Sequence, residues 1–209
     1  MPASEEIARI APVIAAARGL AAISVDTRKA GVAQAALAAG AGMVNDVSGL
    51  DFDPGLARVV ADAGAPICLM HAQGIPETMQ DDPSYGDVLL DVYDALAQRI
   101  TRAEAAGISR SHIVIDPGIG FGKTQAHNLA ILRRISLFHG LGCAVLLGVS
   151  RKRFIGDIGQ APDATDRFPG TLAVTLAAVA QGIQIHRVHD VAQTRQGLSL
   201  WRAVTEGVE

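Results

Sequence analysis

Apolar positions along this chain switch again and again between two spacings. Short runs of Val, Ile and Leu read as buried parallel strands, and longer stretches with an apolar residue every three or four positions read as amphipathic helices. The helical spacing comes first. Ile7, Ile10 and Ile14 mark one face of a helix over 4–18, with Ser4 as its expected N-cap, Glu5 and Glu6 in its first turn and Pro12 placed to kink it. A strand over 20–25 then ends in Asp26-Thr27, and an alanine-rich helix over 29–39 closes on Gly40. The strand over 42–44 ends in Asn45-Asp46, after which Asp53-Pro54 caps and opens a helix that stops near Gly64. A strand over 66–69 ends in Met70-His71, and a longer loop, 72–83, leads to a helix over 85–106 with Gly107 behind it. The run 112–115 delivers Asp116 into a glycine-rich turn, and a helix from about Thr124 extends to about His139. The strand over 144–148 ends in Val149-Ser-Arg-Lys152, and a loop carrying Gly156, Gly159 and Pro162 precedes an apolar helix from Pro169-Gly170 to Gln181. The last strand covers 184–188, and Asp190 caps a helix through Trp201.

One helix followed by six strand–helix units implies a parallel sheet with right-handed crossovers. An open doubly wound sheet would gather its ligand groups at one switch point, whereas a barrel draws them from the carboxyl ends of several strands. Here every predicted strand ends in side chains able to do chemistry: Asp26, Asn45, His71, Asp116, Lys152 and the Arg187/His189 pair. That favours an α/β barrel of the TIM type, incomplete, with six βα units in a single domain over 1–209.

Composition narrows the classes of function more than it names one. With 49% hydrophobic residues, 19% charged and a net charge of −3, the chain can bury a sizeable core, and it offers no basic surface for nucleic acid or acidic membrane. No apolar run reaches the length of a membrane span, and the first residues lack the basic and apolar regions of a signal peptide. Cys68 and Cys143 sit in predicted buried strands, where a thiol acts as a small hydrophobe; a reducing compartment, the cytoplasm, is the expected home.

The candidate chemistry centres on Asp116-Pro-Gly-Ile-Gly-Phe-Gly-Lys123. A buried strand that hands a carboxylate to such a loop must supply it with a donor. The glycines match neither G-x-G-x-x-G nor the P-loop pattern, so the loop is not read as a phosphate cradle. Asp26, Asn45 and Asp116 are the groups that could hydrogen-bond the edge of a heteroaromatic ring, and Lys152 adds a cation. Strand alternation puts Arg187 and His189 on one face, a plausible phosphate-binding pair, and His186 on the other. His112, His127 and His139 lie at element ends and are read as surface.

Six stretches together resemble the dihydropteroate synthase family, in that family's order: Val25-Asp-Thr27, Val44-Asn-Asp-Val-Ser-Gly49, Leu69-Met-His71, Asp116 to Lys123, Gly148-Val-Ser-Arg-Lys152 and Arg187-Val-His-Asp190. The resemblance implies a TIM-type barrel that joins 6-hydroxymethyl-7,8-dihydropterin diphosphate to p-aminobenzoate, releasing diphosphate. It places Asp26, Asn45, Asp116 and Lys152 on the pterin, with Met70 and Phe121 packing nearby, and Arg187 and His189 on the diphosphate, usually with Mg²⁺. Lys152, Arg187 and His189 are then the catalytic candidates, and a homodimer is expected. Arg153 stands where many members have a serine that seats the p-aminobenzoate carboxylate. Two strand–loop units that open the family's chains have no counterpart in these 209 residues, and the expected Asn metal ligand and much of the p-aminobenzoate pocket belong to them. The expectation is therefore a pterin and diphosphate half-site that does not turn over by itself, from a reading frame begun late or a remnant gene. Two other readings compete: a non-catalytic pterin-binding protein, and a methyltetrahydrofolate–corrinoid methyltransferase, which would not need Lys152 or the Arg187/His189 pair.

Overall fold

The structure, a computed structural model, describes residues 1–74 and 79–207. Residues 75–78, within the expected 72–83 loop, lie outside the described residues. Six strands lie side by side in chain order, and every neighbouring pair is parallel. They are β1 (Ser24–Asp26), β2 (Met43–Asp46), β3 (Ile67–Met70), β4 (Ile113–Asp116), β5 (Ala144–Leu147) and β6 (Ile185–His186). The helices are α1 (Ala3–Ala17), α2 (Ala30–Ala39), α3 (Leu56–Asp62), α4 (Val88–Ala105), α5 (Gln125–Arg133), α6 (Arg153–Gly159), α7 (Phe168–Val179) and α8 (Val191–Glu206).

The sheet curls. Arg187, just past β6, forms an ion pair at 2.7 Å with Asp26 at the end of β1, although these strands are the two edges of the sheet. Among the described residues β1 and β6 do not pair with each other, so the curl is part of a TIM-type barrel. Register levels the carboxyl ends along one rim: Asp26 lies opposite Asn45, and Met70 opposite Asp116.

The central strands β3 and β4 are buried at every position, as continuous apolar runs covered on both faces should be. Around them α4 presents Val88, Leu89, Val92, Leu96, Ile100 and Ala103 as one buried stripe. Asp87 caps α4 by accepting from the Leu89 and Leu90 amides, and a capping box of Thr124 and His127 starts α5.

Several boundaries depart from the sequence reading. The strand over 20–25 keeps only its end, because Gly19 turns left-handed (φ 83°) after α1 and leaves Leu20 83% exposed. Helix α1 begins at Ala3 behind Pro2, with no side-chain cap from Ser4. Asp53 does not sit at the N-cap of α3; one carboxylate oxygen accepts the Gly55 amide and the other caps α2 through the Ala30 amide. The helix expected to reach His139 breaks at Arg134 (φ −133°) and continues as a 3-10 segment, Ile135–Leu141, that buries Ile135, Phe138 and Leu141. The stretch expected to be a glycine-bearing loop after Lys152 forms α6, because Phe154 and Ile155 bury a face despite Gly156 and Gly159. The last strand shrinks to Ile185–His186, extended by one bond from the Arg187 amide to the Leu147 carbonyl. Asp190 makes no side-chain cap on α8; instead it accepts two hydrogen bonds from Arg151.

Candidate active site

At the rim where the strands end, a cavity of about 240 Å³ is lined by Asn45, Val47, Met70, Asp116, Phe121, Gly148, Ser150, Lys152, Arg187, Val188 and His189. Seven of the residues singled out in the sequence meet there: Asn45, Met70, Asp116, Phe121, Lys152, Arg187 and His189. Asp26 stands beside them, taking a hydrogen bond from the Asn45 side-chain amide and the ion pair from Arg187.

Asp116 is the innermost polar group of this wall, 8% exposed at the end of β4. One oxygen accepts the Gly118 amide at 2.7 Å. Burial nevertheless dominates and pushes its pKa up to about 6, against the Gly118 hydrogen bond and the cations Lys152, Lys123 and Arg187. The carboxylate thus enters a ligand complex short of donors, which is what a ring edge rich in N–H groups would supply. Lys152 reaches over the Phe121 ring, its ammonium 4.1 Å from the centroid, and burial lowers its pKa while Asp116 opposes the shift.

The glycine-rich loop holds its shape because nothing larger fits. A Cβ on Gly118 (φ +68°) would lie 1.8 Å from the His71 carbonyl oxygen, and one on Gly122 (φ +62°) 2.4 Å from that of Gln73. Lys123, read from the sequence only as the last letter of a motif, is 3% exposed and is the bolt of the loop. Its ammonium donates to the Gly118 and Phe121 carbonyls at 3.0 Å each and lies 2.9 Å from Nδ1 of His71. Burial pulls the Lys123 pKa down to about 7. Burial and the neighbouring ammonium take His71 to about 3, so His71 stays a neutral acceptor, and it does not line the cavity. Its expected place among the chemical groups gives way to a structural one.

Past β6, Arg187 and His189 both face the cavity, whereas His186 turns its Nε2 to the Ile183 carbonyl at 3.1 Å. His189 Nδ1 lies 2.8 Å from the Ser150 hydroxyl, which also accepts the His189 amide. Ser150, like Lys123, acts on a partner far along the chain, and no local spacing announces that. Arg153 falls outside this cavity. It is an exposed side chain paired with Asp157 at 3.6 Å, on a neighbouring cavity of about 390 Å³ that shares Lys152 and includes Gln80, Gly120 and Asn128. Among the described residues no three His, Cys, Asp or Glu side chains gather as a group that could hold a metal ion. His112 is exposed, while His127 and His139 are partly buried. His127 belongs to the α5 cap, and His139 bonds the Gln181 carbonyl at 3.0 Å.

The fold and this rim define a barrel enzyme of the pterin-binding class, and the family profile described as "Pterin binding enzyme" matches residues 1–189. The chain is 39% identical over 207 residues to the dihydropteroate synthase of Escherichia coli, covering 98% of this chain and 73% of that one. It is 44% identical over 194 residues to a probable bifunctional folylpolyglutamate synthase/dihydropteroate synthase of Haloferax volcanii, of which it spans 23%. A solved dihydropteroate synthase of Xanthomonas albilineans, with 4-aminobenzoic acid, superposes with a TM-score of 0.92 at 42% identity, covering all of this chain and 74% of that one. The chain belongs to the dihydropteroate synthase family.

Proposed function

We propose that the cavity binds the pterin of 6-hydroxymethyl-7,8-dihydropterin diphosphate, and that the site serves its condensation with p-aminobenzoate to 7,8-dihydropteroate. The observation that carries this reading is the buried Asp116 carboxylate in a cavity that Arg187 and His189 also line. Asp116 accepts from the pterin's amino and ring N–H groups, Asn45 and Asp26 hold its remaining polar edge, and Met70, Phe121 and the Lys152 stem pack its faces. In the condensation the amine of p-aminobenzoate attacks the pterin methylene, the C–O bond breaks, the diphosphate leaves with the electron pair, and the proton shed by the nitrogen passes to the diphosphate or to solvent. Arg187 and His189 stabilise that developing charge, and no protein nucleophile is required. The neighbouring cavity that holds Arg153 and shares Lys152 is the direction from which p-aminobenzoate enters.

By family resemblance Mg²⁺ would bind the diphosphate and share in neutralising its charge. A homodimer is proposed, with Leu200 and Val204, exposed one turn apart on α8, as apolar surface in its favour. Two free buried thiols, and the absence of a membrane-crossing helix among the described residues, support a cytoplasmic setting. A second reading, that these 209 residues bind pterin without turnover, is favoured by β1 and β6 being unpaired edges among the described residues. A diphosphate-release assay with the pterin diphosphate and p-aminobenzoate separates the two. Release that depends on p-aminobenzoate supports the synthase reading. Pterin binding without release supports the second, and failure to bind pterin removes both.

A further inference from the structure

The hydroxyl of Ser150 has one proton to give and two lone pairs to receive. Ser150 is 9% exposed, and its Oγ already accepts the His189 backbone N–H at 3.2 Å. The partner left for its own proton, among the described residues, is Nδ1 of His189 at 2.8 Å. Were Nδ1 the protonated nitrogen, Oγ would receive two N–H bonds and its own proton would have no acceptor among the described residues. With the hydroxyl donating to Nδ1, the hydroxyl proton, Nδ1 and the His189 backbone N–H all have partners. The neutral imidazole then carries its proton on Nε2, the edge turned away from Ser150.

We infer that Ser150 is a positioning residue that holds His189 as the Nε2–H tautomer, so that the ring meets an anion at the cavity as a donor. A diphosphate oxygen offers only lone pairs and needs that proton facing it; an unprotonated Nε2 would set a lone pair against it. The same hydroxyl fixes the ring plane, since it grips the backbone and the side chain of one residue together. The role of the anion rests on the reading of this site as a diphosphate site, whereas the tautomer does not.

The test is nitrogen-15 spectroscopy of the histidine-labelled, ligand-free protein at alkaline pH, where imidazoles are neutral, with the His189 signals assigned from their loss in His189→Gln. The expected result is a protonated Nε2 and a bare Nδ1 in the wild type, and averaged shifts of both tautomers in Ser150→Ala. Binding of the pterin diphosphate should weaken about tenfold in Ser150→Ala, with the pterin alcohol within about twofold of wild type, and Ser150→Thr should restore both. A wild-type ring protonated on Nδ1, or identical His189 shifts in wild type and Ser150→Ala, would overturn the inference. If the wild type bound diphosphate and alcohol equally, the diphosphate reading would fall, while the tautomer result would still decide what Ser150 does.

Discussion

Replacing Asp116 with Asn should make the ligand-free protein more stable and the ligand complex weaker. Burial raises the Asp116 pKa from 3.8 to about 6, and at 1.36 kcal/mol per pH unit that corresponds to about 3 kcal/mol. A carboxyl whose folded pKa lies above its unfolded one stabilises the fold fully below about pH 4 and loses that contribution as pH rises through about 6. At neutral pH the wild type therefore carries the cost of a buried charge. Asn keeps an oxygen for the Gly118 amide and removes the charge, so Asp116→Asn should gain up to about 3 kcal/mol by urea denaturation at pH 7.5 and little at pH 4. The same change turns an acceptor-only group into one that sets an N–H against the pterin's N–H groups. The expected loss of pterin affinity is about 2–4 kcal/mol, roughly 30- to 900-fold by calorimetry. A variant that is less stable at neutral pH and binds pterin as well as wild type would refute the reasoning, because Asp116 would then be a structural turn residue.

Three further outcomes follow from the same geometry. Pterin affinity of the wild type should fall about tenfold for each pH unit below about 6, as Asp116 takes up its proton, and that slope should vanish in Asp116→Asn when affinity is measured across pH. Arg187→Ala and His189→Gln should each weaken the pterin diphosphate far more than the pterin alcohol in the same titration; equal losses would make the pair structural. Lys123→Met strips the donor from the Gly118 and Phe121 carbonyls and from His71, each worth about 1 kcal/mol, while the buried-charge cost that pulls its pKa down to about 7 offsets part of that loss. A net loss of about 1 kcal/mol is expected, and a gain in denaturant titrations would mean that the ammonium does not hold the loop.

What was legible in the sequence was what repeats at short range. Apolar runs ending in polar residues located all six strands and placed Asp26, Asn45, Asp116 and Arg187 at their ends. Alternation alone separated His186 from His189, and the two do face differently. What stayed hidden depends on contacts across the chain. Lys123 meets His71 over a separation of 52 positions, and Ser150 meets His189 over 39, so nothing in either neighbourhood marks them. His71 misled because a histidine at a strand end looks chemical until a buried ammonium is found against it. Helix α6 is hidden in the sequence because Gly156 and Gly159 outweigh Phe154 and Ile155 on propensity, and what those apolar side chains cover shows only in the fold.

The most direct test of the account is a crystal structure of the protein soaked with 6-hydroxymethyl-7,8-dihydropterin diphosphate. The expected density places the ring in the cavity between Met70 and Phe121, its N–H edge on Asp116, with the phosphates against Arg187 and His189 and the Arg187–Asp26 pair drawn apart. A pterin bound elsewhere, for instance in the groove between α2 and α3, or bound here with its phosphates pointing away from Arg187, would contradict it.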